Sequence, residues 1–189
     1  MTTALTFKPV DKRTVEDFSA LFEARGGPSY CWCMAWRVTP DEAKTSKGSE
    51  RKPFILQRIA DGVPVGLLAY RDGIAAGWVS VAPRDTYRDI GGPPAEEGDV
   101  IWSIACFYVP RARRGEGLAP QLLDAAVAHA REHGATIVEA YGVDPDSPSY
   151  RYMGFVAFYE ARDFVEVGRV GKRRHVMRLT VSSRSSGSR

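Results

Sequence analysis

The sequence lacks the features that mark secreted, membrane-spanning and disulfide-stabilised proteins. It contains three cysteines among 189 residues, an odd number that does not fit a framework of paired disulfides. No apolar run approaches the roughly 20 residues needed to cross a bilayer. The segment Met1 to Lys8 has no long apolar core of the kind found in secretory signals. We therefore expect a reduced, cytoplasmic protein with no membrane partner.

A strong excess of one charge is also missing. The chain has 26 Lys and Arg residues against 23 Asp and Glu residues, which gives a formal net charge of +3. The two signs are interleaved, whereas nucleic-acid-binding proteins usually carry a basic face or stripe. The charge pattern therefore favours a solvated surface over a nucleic-acid partner.

Hydrophobic residues make up 44% of the chain, which is enough for one buried core without metal or disulfide support. We expect a single domain over residues 1–181 and a disordered Ser/Gly/Arg tail over 182–189. Apolar spacing predicts strands at 6–10, 65–70, 74–81, 100–109, 136–141, 164–170 and 175–181, and helices at 14–25, 41–60, 118–133 and 148–162. This order predicts an α+β or α/β layout around one mixed sheet.

The turn from Arg114 to Ala119 has the composition of an anion-binding site. It joins a predicted strand to a predicted helix, and a helix N-terminus presents unpaired N–H groups and a partial positive charge. Gly115 and Gly117 allow the backbone to approach a phosphate closely. Pro120 replaces the third glycine of the dinucleotide pattern G-x-G-x-x-G, and no G-x-x-x-x-G-K-[ST] motif occurs. A glycine-rich turn flanked by surface arginines remains the alternative interpretation.

Two segments resemble a known family. Arg114 to Ala119 matches the signature R-x-x-G-x-G/A of the GNAT superfamily of acetyl-CoA-dependent N-acetyltransferases. Ala157 to Phe164 is similar to the family ending x-x-L-Y-E-K-x-G-F, with Asp163 where the family usually has glycine. The resemblance extends over residues 6–181. It implies a mixed, mostly antiparallel twisted sheet of six or seven strands flanked by about four helices.

The same resemblance implies acetyl-CoA as cosubstrate, with no metal, and a set of site residues. Phe107, Tyr108 and Val109 would pair with the pantetheine arm as an added strand does. Tyr159 falls on the tyrosine that protonates the departing thiolate. The turn that would hold the CoA pyrophosphate consists of Arg114, Gly115, Glu116, Gly117, Leu118 and Ala119.

No motif identifies the general base. Many relatives carry a carboxylate early in the central strand, where this chain has the apolar and hydroxyl side chains of residues 101–104. Glu139, on the following strand, is the first carboxylate to test. Asp99 and a chain of water molecules are the alternatives, and a purely structural role for Glu139 is equally compatible with the sequence.

The aromatic and cysteine-rich segment at residues 30–36 follows the first predicted helix. Its Cys-x-Cys spacing differs from the C-x-x-C of redox pairs, and no further ligands with zinc-site spacing are evident. In the resembled family this location shapes the acceptor site. We therefore expect Tyr30, Trp32 and Trp36 to line the acceptor pocket, with simple core packing as the alternative.

These features together predict an N-acetyltransferase that moves an acetyl group from acetyl-CoA to a primary amine of a small molecule or peptide. The amine would attack directly, with Tyr159 as general acid. A CoA-binding regulatory domain without turnover is one alternative. An acetyltransferase acting on a protein or an aminoacyl-tRNA is another. A homodimer is compatible with the sequence.

Overall fold

A computed structural model describes residues 5–181, and the chain forms a seven-stranded mixed sheet with helices on both faces. The strands are β1 (Thr6–Pro9), β2 (Leu67–Arg71), β3 (Ile74–Pro83), β4 (Ile101–Tyr108), β5 (Ile137–Gly142), β6 (Val165–Val170) and β7 (Arg174–Thr180). The helices are α1 (Val15–Glu23), α2 (Pro40–Thr45), α3 (Lys52–Ala60), α4 (Leu118–Glu132) and α5 (Val156–Glu160). The predicted tail at 182–189 lies outside the described residues.

The strand order is β1-β2-β3-β4-β5-β7-β6, and β4 and β5 form the parallel pair while the other neighbours are antiparallel. The predicted α+β fold with a mostly antiparallel sheet is therefore confirmed. The β2–β3 hairpin closes at Asp72 and Gly73, both with positive φ (55° and 77°), as the tight hairpin turn requires.

Two predicted helices are shorter than expected. The segment 41–60 divides into α2 and α3, because residues 48–51 form a 3₁₀ turn that begins at Gly48 with φ 56°. The segment 148–162 contributes a 3₁₀ turn at Arg151–Met153 and then the five-residue α5. Gly154, with φ 93°, separates the two and prevents one continuous helix.

The sheet is covered by a different helix set on each face. Leu122, Leu123 and Ala126 of α4 pack with residues of the sheet and α5 in one apolar cluster. Helices α1 and α3 pack on the opposite face in a second cluster, which contains Phe18 and Ile55. The first five residues of the central strand β4 are therefore buried from both sides, while residues 106–108 are half-buried.

The parallel strands separate before they end. β4 and β5 pair from Ile101 to Ile104 on one strand and from Ile137 to Ala140 on the other. Beyond these residues β5 continues beside β7, while Cys106 to Tyr108 of β4 pair with β3 alone. Ala105 has no partner on β3, because Ser80 pairs with Cys106 and Val81 with Ile104, and it forms a β-bulge. The middle of the sheet thus contains an unpaired strand edge.

Among residues 5–181, no helix combines the length and the apolar character needed to cross a membrane.

Candidate active site

A cavity of about 740 Å³ lies along the unpaired edge of β4. Its wall is mostly aromatic and apolar, and residues 105–109 of β4 and the following loop supply one side. The charged residues of its wall are Arg114 and Arg151, and no carboxylate among residues 5–181 lines it. The cavity is therefore an apolar pocket with positive charge at its margins.

The glycine-rich turn lies at one end of this cavity. Arg114 and Ala119 line the cavity directly, whereas residues 115–118 lie beside it. Gly115 and Gly117 have φ 87° and 71°, and a Cβ built on Gly115 would meet no atom within 4 Å. The turn thus combines a left-handed backbone with open space in front of the N-terminus of α4, the arrangement that suits a phosphate.

Glu116, predicted for the pyrophosphate turn, carries a negative charge that would repel phosphate. The structure shows it in an ion pair with Arg71 at the end of β2, and Arg113 Nη1 lies 3.8 Å from Glu116 Oε2. The two guanidinium groups offset the carboxylate and leave the turn with a net positive charge. The sequence alone does not indicate Arg71, because its contact with the turn forms only when the β2–β3 hairpin packs beside the turn.

Phe107, Tyr108 and Val109, predicted to face pantetheine, all line the cavity at the unpaired edge of β4. Phe107 packs edge-on against Phe158 with ring centroids 5.7 Å apart. The Tyr108 hydroxyl donates to the Gly26 carbonyl oxygen at 3.2 Å. These contacts hold the β4 edge in place without occupying the side of its backbone that faces the gap.

Another part of the cavity wall is formed by aromatic residues predicted for the acceptor site. Tyr30 and Trp36, two of the predicted acceptor-site residues, line it together with Tyr152. The indole Nε1 of Trp36 donates to the Tyr152 hydroxyl oxygen at 3.2 Å, and the Arg174 guanidinium lies 4.6 Å from the Trp36 ring centroid. Tyr152 was missed from the sequence; the aromatic residues just before Gly154 are the signal that could have drawn attention to it.

Trp32 does not line the cavity, which corrects the prediction for this residue. Its side chain is 1% exposed and stacks on Phe22, with ring centroids 5.6 Å apart. Trp32 and Cys33 both have positive φ (49° and 55°), so the chain turns sharply here and directs neighbouring side chains to opposite sides. Trp32 therefore joins the core while Cys31 and Cys33 line the cavity.

Tyr159 lies in α5 but is fully buried and is not part of the cavity wall. Its hydroxyl donates to the Met153 carbonyl oxygen, and burial raises the pKa of the phenol well above its usual range. The proton of Tyr159 is therefore already engaged within the protein. Its role as general acid stays a prediction.

Glu139 is also fully buried and is not part of the cavity wall. Arg178 Nε donates to Glu139 Oε2 at 2.7 Å, the Tyr141 hydroxyl donates to Oε1 at 2.6 Å, and Arg84 Nη1 lies 3.5 Å from Oε2. These three donors engage both carboxylate oxygens of Glu139 within the protein. The expectation that Glu139 lies beside the reacting atoms therefore does not agree with its position; its role as base remains untested.

Comparison with solved structures identifies the fold. YncA, a putative acetyltransferase from Salmonella typhimurium solved with its cofactor acetyl-CoA, is 18% identical with a TM-score of 0.55, covering 97% of each chain. A putative GNAT-family acetyltransferase from Desulfovibrio desulfuricans is 23% identical, with a TM-score of 0.54 and coverage of 95% and 100%. The GNAT domain of S. lividans PAT is 18% identical, with a TM-score of 0.60 and coverage of 93% and 89%. The chain thus has the acetyltransferase fold.

The family follows from the sequence match. The model of the acetyltransferase (GNAT) family matches residues 30–164, well over half of the chain. The chain therefore belongs to this family, and the predicted class of acyl-CoA-dependent N-acyltransferase is confirmed. No curated protein matches the sequence. Within residues 5–181, no group of three or more His, Cys, Asp or Glu side chains could hold a metal ion.

Proposed function

We propose that the protein transfers an acetyl group from acetyl-CoA to the amine of a small molecule, by direct attack of the amine nitrogen on the thioester carbonyl carbon. The observation that carries this proposal is the unpaired edge of β4, which ends beside the glycine-rich turn at residues 114–119. An extended amide chain attached to a pyrophosphate matches this combination, because one part needs a strand edge and the other needs a helix N-terminus.

Each part of the site has a separate task in this proposal. The backbone of Phe107 to Val109 would pair with the pantetheine amides, and the turn N–H groups and Arg114 would bind the pyrophosphate. Acetyl-CoA supplies the activated thioester. Backbone N–H groups at the Ala105 bulge would stabilise the oxyanion that develops on the carbonyl oxygen.

The departing sulfur needs a proton donor at the cavity, and a phenol can supply the proton. The geometry favours Tyr152 over the predicted Tyr159, because Tyr152 lines the cavity and its hydroxyl oxygen accepts a hydrogen bond from Trp36. Its own proton therefore remains free to donate. Burial is the largest cause that raises the pKa of Tyr152 to about 12, so the group is protonated at neutral pH.

The cavity wall also limits the acceptor. An ammonium group would enter an apolar pocket that has Arg114 and Arg151 at its margins and no carboxylate in its wall. Such an environment disfavours the charged amine and favours the neutral form, which is the nucleophile. We therefore propose a weakly basic amine with apolar or aromatic character, seated between Tyr30, Trp36 and Tyr152. Because such an amine is already neutral, no carboxylate is needed to deprotonate it before attack. The proton that its nitrogen loses as the amide forms balances the proton that the phenol gives to the sulfur.

Binding of acetyl-CoA tests the donor half of the proposal. Isothermal titration calorimetry of the purified protein should show saturable binding with one site per chain. No heat of binding at high micromolar acetyl-CoA would reject the donor assignment. A screen for CoA thiol release against an amine library then tests turnover; binding without release for any amine would favour the regulatory alternative.

Replacing Arg114 with alanine is expected to weaken acetyl-CoA binding about 5-fold to 10-fold, because one charge-assisted contact to the pyrophosphate is lost at an exposed position. Arg114 Nε now donates to the Val109 carbonyl oxygen at 3.4 Å, which keeps the guanidinium near the end of β4. Calorimetry gives the change in Kd.

The matched control for this variant is Arg131→Ala. Arg131 lies in the last turn of α4, roughly 20 Å from the turn along the helix axis. It should leave the Kd within about twofold, since a surface charge at that distance is screened. If both variants lose the same acetyl-CoA affinity, Arg114 acts only through the overall charge of the protein.

A further inference from the structure

A buried arginine behind the acceptor end of the cavity has no acidic partner. Arg37 is 3% exposed, and its Nη2 donates to the Val65 carbonyl oxygen (2.8 Å), Ser80 Oγ (2.9 Å) and the Tyr87 hydroxyl (2.8 Å). Its Nε and Nη1 have no hydrogen-bond partner. None of the ion pairs within residues 5–181 includes Arg37. The guanidinium also lies over the Tyr87 ring, 4.0 Å from its centroid. All of these partners are neutral, and a buried positive charge is costly unless an anion offsets it.

The thiol of Cys33 lies in the same region and faces the cavity. Cys33 is 8% exposed, lines the cavity and accepts a hydrogen bond from Trp78 Nε1 at 3.3 Å. Its own φ is 55°, and the preceding Trp32 also has a left-handed backbone. A left-handed backbone at two successive non-glycine residues costs conformational free energy, and it persists only where the surrounding packing fixes it. The turn therefore holds the sulfur at the cavity wall.

The groups around Cys33 favour its anionic form. The neighbouring Cys106 thiol is the largest cause that lowers the pKa of Cys33, and burial opposes it. The positive charge of Arg37 and the indole N–H of Trp78 lower it further. The titratable and charged groups near this thiol are Tyr30, Cys31, Arg37, Tyr87, Cys106 and Tyr152.

We propose that Cys33 is the anionic partner of Arg37, and that this thiolate makes the cavity a covalent modification site for small, soft electrophiles. The inference goes beyond acyl transfer and does not depend on it. Because the thiolate is paired with Arg37, the pair adds no net charge to the cavity and leaves the preference for a neutral amine unchanged. In the reaction with iodoacetamide, the sulfur attacks the methylene carbon. A sulfur–carbon bond forms, the carbon–iodine bond breaks, and iodide leaves without any change in the redox state of the protein.

Alkylation of the full chain by iodoacetamide, followed by peptide mass spectrometry, tests the proposal with an internal control. Cys31 is more exposed than Cys33, but burial and the charge of Cys33 raise its pKa to about 11. Access alone therefore predicts faster reaction at Cys31, whereas thiolate character predicts faster reaction at Cys33. At neutral pH we expect Cys33 to react at least about tenfold faster.

The substitution Arg37→Met replaces the guanidinium with a neutral side chain. It should slow alkylation of Cys33 about tenfold or more, because the charge that stabilises the thiolate is gone. Should Arg37→Met fail to fold, thiolate absorbance near 240 nm in the native protein, compared with Cys33→Ser at neutral pH, is the second measurement. The proposal is overturned if Cys31 reacts first, if Cys33 stays unmodified, or if Cys33→Ser has the same absorbance as the native protein. The calorimetric test of acetyl-CoA binding does not depend on any of these three results, so the proposed function and this inference can fail separately.

Discussion

Replacing Tyr152 with phenylalanine is expected to lower kcat about 100-fold or more while leaving the Kd for acetyl-CoA unchanged. The substitution removes the one hydroxyl of the Trp36–Tyr152 pair and keeps the ring that lines the cavity. The departing sulfur would then leave as an unprotonated thiolate, which raises the barrier of the chemical step without changing how the donor binds. Thiol release with an amine from the screen gives kcat, and calorimetry gives Kd.

Tyr159→Phe is the matched control, because it removes the same hydroxyl from a fully buried site that is not part of the cavity wall. The Met153 carbonyl oxygen loses its donor, so we expect the free energy of unfolding to fall by about 1–3 kcal/mol with little change in kcat. The opposite pattern, with activity lost in Tyr159→Phe and retained in Tyr152→Phe, would assign the proton to Tyr159. It would also require the segment around Gly154 to rearrange when substrate binds.

Replacing Glu139 with glutamine is expected to lower the free energy of unfolding by about 3–5 kcal/mol. The carboxylate is fully buried, and Arg178, which is 13% exposed at its side chain, loses its anionic partner. The Tyr141 hydroxyl, which donates to Glu139 Oε1, keeps only a weaker acceptor in the amide. Urea denaturation of the variant and the native chain measures the difference.

Glu132→Gln serves as the surface control for this variant, since Glu132 ends α4 and is exposed. It should change stability by no more than about 0.5 kcal/mol. If Glu139→Gln instead leaves stability nearly unchanged and abolishes turnover, Glu139 acts as the general base. A large loss of stability with kcat retained in the folded fraction would make it a structural residue.

Much of the fold could be predicted because its signals are local. The Asp72–Gly73 turn falls between the strands predicted at 65–70 and 74–81, and the apolar run predicted as a strand at 100–109 is β4 to within one residue at each end. The errors occur where glycine interrupts an otherwise helical pattern. Gly48 and Gly154 adopt positive φ, and apolar spacing alone does not reveal that a helix stops there.

The donor end of the candidate site could be proposed from the sequence for a similar reason, because Arg114 to Ala119 is one continuous segment. Its role in binding the pyrophosphate stays a prediction. The acceptor end is different. Trp36 and Tyr152 are 116 residues apart and meet only through the tertiary fold. Which of Trp32 and Cys33 faces the cavity depends on a strained turn that no residue pattern indicates. The pairing of Glu139 with Arg178 likewise depends on the register between β5 and β7.

The separation of β4 and β5 has a mechanical consequence. Four residue pairs hold the two strands together, and on either side of them lie an antiparallel group β1–β4 and an antiparallel group β5–β7. A molecule bound in the gap between β4 and β5 would form hydrogen bonds with strands of both groups and so connect them. If acetyl-CoA binds as proposed, it should therefore stiffen the sheet as a whole, and amide hydrogen exchange should slow in β5 and β7 as well as at the turn proposed for the pyrophosphate.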